Sequence, residues 1–544
     1  MVFPKIYPLC ETALTVEFGD CIDETIHQQV IGLKNKIEQK PFIGFIETVP
    51  AYTSLTVYYQ TELSSFDFVK IHIEELCADP LEEAVTDRPT VFIPVCYDEE
   101  FGYDLEFVAH LHGLSKEQVI NIHQQQTYDV YMMGFLPGFA YMGIVDDAIA
   151  TARKSTPRAV VEEGSVGIAG KQTGIYPLTS PGGWQIIGRT PLCLFDLQKP
   201  DPFLFKTGDL VRFHPISKDE FHKIKSEQKQ VVEIAEKQTN IDAIVVKPGI
   251  YSTIQDAGRF GYRSFGVPVS GAMDQPAFYT ANALAGNKKN AACIECTMAG
   301  LQLQFKKNAV IAVAGGGAAF VNGQLITIGQ PLSVSKNDML EIRYNNDGMR
   351  TYIAVKGGFD SNNIMNSRSV YAKADIGAPL KKEQGLLFGN MLSADTKRIT
   401  ESLSLPVYNS EALIRIIAGP ESHWMDPESI QQLSSQLFAL SNQCDRMGYH
   451  LKAAPLLLNE SRELLSTAVT KGTVQLTPSG QLIILMSDCQ TTGGYPRVGQ
   501  VAAVDLPVLA QLKPGDKIRF NNISFEQAEA LYLSEQKKID AFFN

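Results

Sequence analysis

The sequence predicts a mainly β protein made of tandem barrels, with a small α+β part at its N-terminus. Three observations carry this. Short β-like runs interrupted by Gly and Pro fill most of the chain, a turn-and-strand unit recurs along it, and one segment with a helix-like span stands apart at the start. At 544 residues the chain exceeds one hydrophobic core several times over, so a series of units is expected.

Residues 1–88 mix alternating stretches, Ala13 to Phe18 and Ser54 to Tyr59, with the helical span Glu24 to Glu38, which suits a small α+β layer. A first barrel is expected over 89–225. It holds one clear helix, Lys116 to Gln126, announced by Ser115 and Gln118 as a capping box. From Ile216 to Asn240 the composition turns to Lys, Glu and Gln, which reads as a solvated helix or a linker, placed at 226–242. Two further barrels are expected over 243–400 and 401–544.

The repeat is explicit. Thr207-Gly208-Asp209-Leu210-Val211-Arg212-Phe213 returns as Pro514-Gly515-Asp516-Lys517-Ile518-Arg519-Phe520, and more faintly as Asn337-Asp338-Met339-Leu340-Glu341-Ile342-Arg343-Tyr344. Each reads as a tight turn entering an alternating strand. Upstream of the two strong copies stand Gln172 to Pro177 and Gln490 to Pro496, which read as a second matching pair. Three related barrels, ending near Phe213, residue 400 and Phe520, follow from these matches, and closed sheets leave no edges exposed.

A net charge of −12 with scattered Lys and Arg offers no stripe for a nucleic-acid backbone. The N-terminal residues lack a basic-then-apolar leader, and no apolar run reaches membrane-spanning length, so a cytoplasmic protein without a membrane partner is expected. Nine cysteines read as reduced thiols; Cys293 and Cys296 form a CxxC without a second pair, so no metal is expected there.

Several motifs can carry chemistry. Gly164 to Thr173 resembles a phosphate-binding loop, but Ser165 replaces the first glycine and Gln172 the hydroxyl after lysine, so a Walker site is rejected. Lys171, Gln172 and Thr173 remain candidates for phosphate contact in another geometry, with Tyr176 and Arg189 joining them if the loops converge. The run Met133 to Gly143 packs glycines, a proline and aromatics together, which suggests close backbone approach beside an apolar platform or a buried turn. His123, on the preceding helix, reads as a binding residue or a core histidine. In the second half, Asp256 and Arg259, Asp274, Arg446, and the cluster Asp488, Gln490, Thr491, Tyr495 and Arg497 place charges beside glycine turns or at a strand end, as at a barrel mouth.

These motifs carry a resemblance. GFLPGFAYMG, PRAVVEEGSVGIAGKQTGIYP and PGGWQIIGRTP resemble the B component of 5-oxoprolinase; KPGIYSTIQDAGRFGY, GVPVSGAMDQPA, DRMGYHL and QTTGGYPR resemble its C component. The resemblance covers nearly the whole chain and implies cyclophilin-like barrels. It also implies ATP-driven opening of 5-oxoproline to glutamate together with a separate LamB/YcsF-like A component of 5-oxoprolinase, with Mg2+ accompanying ATP. Of the residues singled out above, Asp256, Arg259, Asp488 and Gln490 are the candidates for catalysis. His123, Arg158, Lys171, Gln172, Thr173, Tyr176, Arg189, Asp274, Arg446, Thr491, Tyr495 and Arg497 become candidates for substrate or nucleotide contact. Relatives of the same fold include the carboxyltransferase region of urea carboxylase and a regulator of a sensor histidine kinase, which fold alone does not separate. The chain has no biotin-attachment motif, so no covalent biotin is expected.

Overall fold

A computed structural model describes residues 4–78, 88–228, 241–389, 410–460, 462 and 464–543. The expected linker and the boundary near residue 400 fall largely outside them. The fold is mainly β.

The N-terminal layer is a four-stranded antiparallel sheet of Lys5–Cys10, Ala13–Glu17, Ser54–Tyr59 and Phe45–Pro50, in that spatial order. Helices Glu24–Gln39 and Phe66–Ala78 cover one face, burying Val30, Leu33, Val69 and Ile73 against Leu14, Leu55 and Val57. Asp23 caps the first helix through Ile26 N, in the place of one missing backbone bond.

The first barrel is a seven-stranded sheet whose last strand, Leu210–Pro215, pairs in parallel with its first, Thr90–Val95. A bridge between Cys96 and Arg189 joins the remaining edges. Its core includes Ile93, Val130, Ile168, Ile175 and Val211. The Ser115 capping box forms as expected at the helix Lys116–Gln125. Part of the Lys- and Glu-rich stretch is the helix Lys218–Gln228, anchored by Phe221 on Phe101 at 4.4 Å between rings.

The middle unit consists of two facing sheets, of seven and five strands, sharing one core around Val245, Leu303, Val313, Leu340 and Ile353. The last barrel is closed, and its last strand, Lys517–Asn522, again pairs in parallel with its first, Glu411–Ala418. Helix Phe525–Ala541 follows. Among the described residues no helix is long and apolar enough to cross a membrane.

The turn repeat is structural in all three copies. Asp209, Asp338 and Asp516 each accept a bond from the backbone N–H three residues earlier, of Lys206, Ser335 and Lys513. The preceding Gly208, Asn337 and Gly515 all take positive φ. The second pair of matching segments does not hold. Gln172–Ile175 is a barrel strand, paired with Ser165–Ala169 and Ala140–Gly143. Its counterpart by strand order is Leu482–Leu485, and Gln490 to Pro496 lies in the connection beyond that strand. Short polar sequences match by chance more readily than a turn whose φ and side-chain bond are both constrained.

Candidate functional site

A cleft of 760 Å³ opens where the N-terminal layer, the middle unit, the last barrel and the C-terminal helix meet. Its walls come from both halves of the chain: Cys10 to Thr12 and Tyr58 from the first, Val269, Ser270, Met273, Val469 to Lys471, Ser487 and Cys489 to Thr491 from the second.

The loop carrying Ser270 is held from three sides. Ser270 N donates to Ser487 O at 3.0 Å, Ala272 N to Asp256 O at 3.0 Å, and Arg446 Nη2 to Gly271 O at 2.8 Å. Ser270 itself adopts φ 57, an unusual conformation for a residue with a side chain, maintained by these bonds. Gly271 has φ 75, and a Cβ there would meet Ala257 O at 2.8 Å, so a glycine is required.

Behind this loop lies a buried ion network. Arg446 holds Asp488 through two parallel bonds of 2.8 and 2.9 Å and pairs with Glu295. Glu295 also accepts from Tyr352 OH at 2.7 Å and Met273 N at 2.9 Å. Arg350 lies 3.9 Å from Glu295 and donates to Tyr449 OH at 2.8 Å. Burial alone would raise the Glu295 carboxyl, but Arg446 and Arg350 outweigh it and hold the pKa below the ordinary value. Burial works against the Arg446 charge too, and Asp488 with Glu295 reverses that, keeping its pKa well above normal.

Lys471 faces the cleft. Its Nζ donates to Met273 O at 2.9 Å, and burial, helped by the positive charge of Arg446, lowers its pKa from 10.5 to about 8. Three hydroxyls of the same cleft, Ser270 Oγ, Ser487 Oγ and Thr491 Oγ1, are buried without a hydrogen-bond partner. An ammonium and three unpaired donors form a receptor for an anionic, acceptor-rich group. Among the described residues no group of three or more His, Cys, Asp or Glu side chains is placed to hold a metal ion.

The first-half candidates take separate places. Lys171 is exposed and pairs with Asp147 at 2.8 Å, whereas Thr173 points into the barrel and bonds His123 Nε2 at 3.0 Å. His123 is enclosed by Tyr97 OH at 3.1 Å and the Phe213 ring, and burial lowers its pKa to about 3. Gln172 is buried, Arg158 pairs with Asp104, Arg189 pairs with Glu162, and Tyr176 packs on Phe139 and Trp184.

In the second half, Gln490 and Thr491 line the cleft, and Arg446 and Asp488 stand directly behind it. Asp274 caps the helix Gln275–Leu284 and accepts from Gln511 at 2.7 Å. Asp256 is saturated by Ser367, Ser369 and two backbone N–H groups. Arg259 lines a different pocket. Arg497 is held by Glu421 and Tyr7, and Tyr495 is exposed. Lys471, Glu295, Ser270 and Ser487 were not singled out from the sequence. Only the glycine beside Ser270 and the apolar strand before Ser487 hinted at them.

The glycine-rich loop of the first barrel joins the halves. Gly138 N donates to Phe265 O at 3.0 Å, and a Cβ on Gly134 would collide with Thr492 Oγ1 at 1.8 Å.

Two family models match the chain: "Carboxyltransferase domain, subdomain C and D" over residues 4–205 and "Carboxyltransferase domain, subdomain A and B" over residues 265–522. The chain belongs to the carboxyltransferase-domain family. Both parts of that family are joined in one polypeptide here. The first half is 46% identical over 233 residues to the B component of 5-oxoprolinase from Bacillus subtilis (strain 168), covering 41% of this chain and 97% of that protein. The second is 35% identical over 289 residues to the C component of 5-oxoprolinase from Escherichia coli (strain K12), covering 52% of this chain and 92% of that protein. Among solved structures, that of TTHA0988 is 31% identical, with a TM-score of 0.83, covering 94% of this chain and 99% of that one. In this carboxyltransferase-family chain the cleft lies at the seam of the two matched parts.

Proposed function

We propose that the chain is part of an ATP-dependent 5-oxoprolinase that activates 5-oxoproline for hydrolysis to glutamate together with a separate LamB/YcsF-like A component. The observation that carries this reading is the cleft built jointly by one half similar to the B component and one half similar to the C component, with Lys471 and three unpaired hydroxyls inside it.

An unstrained lactam resists attack by water. Transfer of the ATP γ-phosphoryl group to its oxygen releases ADP; water then attacks the activated carbon, the ring C–N bond breaks to give the amine and an acyl phosphate, and a second water releases phosphate. The protein's task is then to position the groups and neutralise charge. Protonated Lys471 would hold the transferring or bound oxyanion, and Ser270, Ser487 and Thr491 would donate to its remaining lone pairs. Glu295, Arg446 and Asp488 would fix the loop and strand end that present these groups. Magnesium would enter with the nucleotide phosphates.

The test is release of ADP and glutamate from 5-oxoproline and Mg-ATP by the chain alone, by the LamB/YcsF-like component alone and by the mixture. Turnover in the mixture only is expected. No turnover from folded proteins overturns the reading. The carboxyltransferase name of both matched models favours a second reading, a transferase for carboxyl groups delivered by a biotinylated partner. That reading predicts dependence on bicarbonate and on the carrier. The cleft itself is compatible with either acyl chemistry, because both develop negative oxygen.

A further inference from the structure

Four arginines are buried among the described residues, and three of them have a carboxylate. Arg350 and Arg446 share Glu295, Arg446 also binds Asp488, and Arg497 binds Glu421. Arg259, 1% exposed, has no carboxylate within ion-pairing distance among the described residues. Its Nε donates to Ile364 O at 3.0 Å and its Nη2 to Ser369 O at 2.7 Å, while Nη1 is buried with no partner. Asp256, on the same turn, is occupied by four other donors. Asp256 and Asp488 act on the guanidinium only through space, so it is buried without a direct ion-pair partner, which is costly to maintain.

Arg259 lines a pocket of 470 Å³ that shares no lining residue with the cleft. It lies between the loop 360–370 and the segment 376–387. Ser361, whose Oγ also lacks a partner, lines the same pocket. Asp360 and Arg368 also line it and pair with each other at 2.8 Å, and Ile254, Ile364, Ile376 and Leu380 supply an apolar part of the wall.

We propose that this pocket is a second binding site, which takes a small organic monocarboxylate with an apolar body. The carboxylate accepts from the free N–H groups of Arg259 Nη1 and from Ser361 Oγ, and the body lies on Ile364, Ile376 and Leu380. Donors without unpaired acceptors call for a ligand end that only accepts, and the charge calls for an anion. An inorganic phosphate would satisfy the donors and leave the apolar wall unused. The site stands independently of the oxoprolinase reading.

The test is fluorine NMR of 4,4,4-trifluorobutyrate with the full chain, its Ser361→Leu, Arg259→Gln and Lys471→Met variants, and 4,4,4-trifluorobutanol as the neutral counterpart. Binding of the carboxylate and not the alcohol is expected, weakened about tenfold or more by Ser361→Leu and by Arg259→Gln and unchanged by Lys471→Met. Ser361→Leu fills the pocket and leaves both carbonyl contacts of Arg259, so the test survives if Arg259→Gln fails to fold. Equal binding to Ser361→Leu, loss of binding in Lys471→Met with retention in Ser361→Leu, equal binding of the alcohol, or displacement by inorganic phosphate but not by other carboxylates would each overturn the assignment.

Discussion

The first and last barrels share a strand order and a parallel closing pair, yet they handle buried charge differently. In the first, Asp104 is satisfied within the barrel, by Arg158 and by Ile186 N at 2.7 Å. In the last, Arg446 reaches out of the barrel to Glu295 and Gly271 of the middle unit, and Arg497 reaches Tyr7 of the N-terminal layer at 3.1 Å. The two barrels share a scaffold, and the candidate cleft lies where the last one packs against its neighbours. Pockets between units are a common outcome of that arrangement.

The largest expected effect breaks the outward network. Arg446→Met leaves Glu295 and Asp488 buried without their main cation and should cost about 3–5 kcal/mol, read as a fall in Tm. Arg158→Met in the first barrel leaves Asp104 with Lys154 at 3.4 Å and Ile186 N, and about 1–3 kcal/mol is expected. Equal losses would remove the contrast between the barrels.

Next comes Lys471→Met, expected to lower kcat/KM of the reconstituted reaction about 10- to 100-fold. Its pH dependence has a definite sign. The folded pKa of about 8 lies below the ordinary 10.5, so the unfolded chain holds the extra proton between these values and stability rises with pH across that window. Anion affinity moves oppositely and falls as pH rises through about 8. Denaturation and binding titrations on both proteins check this, and a variant that retains either trend excludes Lys471 as the titrating group.

A smaller effect sharpens the likeness. Asp209→Ala and Asp516→Ala each remove one turn bond and should cost about 1 kcal/mol apiece by urea denaturation. Losses differing several-fold would mean that the turns are copies in shape but not in energy. Smallest of all is Lys171→Ala, which removes an exposed pair with Asp147, with an expected change below about 0.5 kcal/mol and turnover within about twofold. A large loss of turnover would return the first-barrel loop to the site.

Fold class was legible because period and turn chemistry are local. The Asp of each TGD-like turn bonds within its own few residues, so its role shows in the string of letters. The site was half legible. Asp488, Gln490 and Thr491 stood out as polar groups at a strand end and Arg446 as a charge beside a glycine, and the structure gathers them at or behind the candidate cleft. Lys471 and Glu295 did not, because a lysine in a turn and a glutamate in an apolar strand acquire meaning only from elements far away in sequence. Lys171 misled for the same reason: its glycine-rich setting is a hairpin whose tip faces solvent, and nothing local reveals which way a hairpin points.

The parallel closing pairs also govern how the chain comes to be folded. Thr90 must wait for Leu210, and Glu411 for Lys517, before either barrel can shut. Loop-closure entropy over such spans slows the step, and until then the first strand of each barrel has an unpaired edge. During synthesis the last barrel can shut only once Lys517–Asn522 has emerged, and helix Phe525–Ala541 docks later still. The interval before each barrel closes is therefore one in which the folding chain is exposed to aggregation.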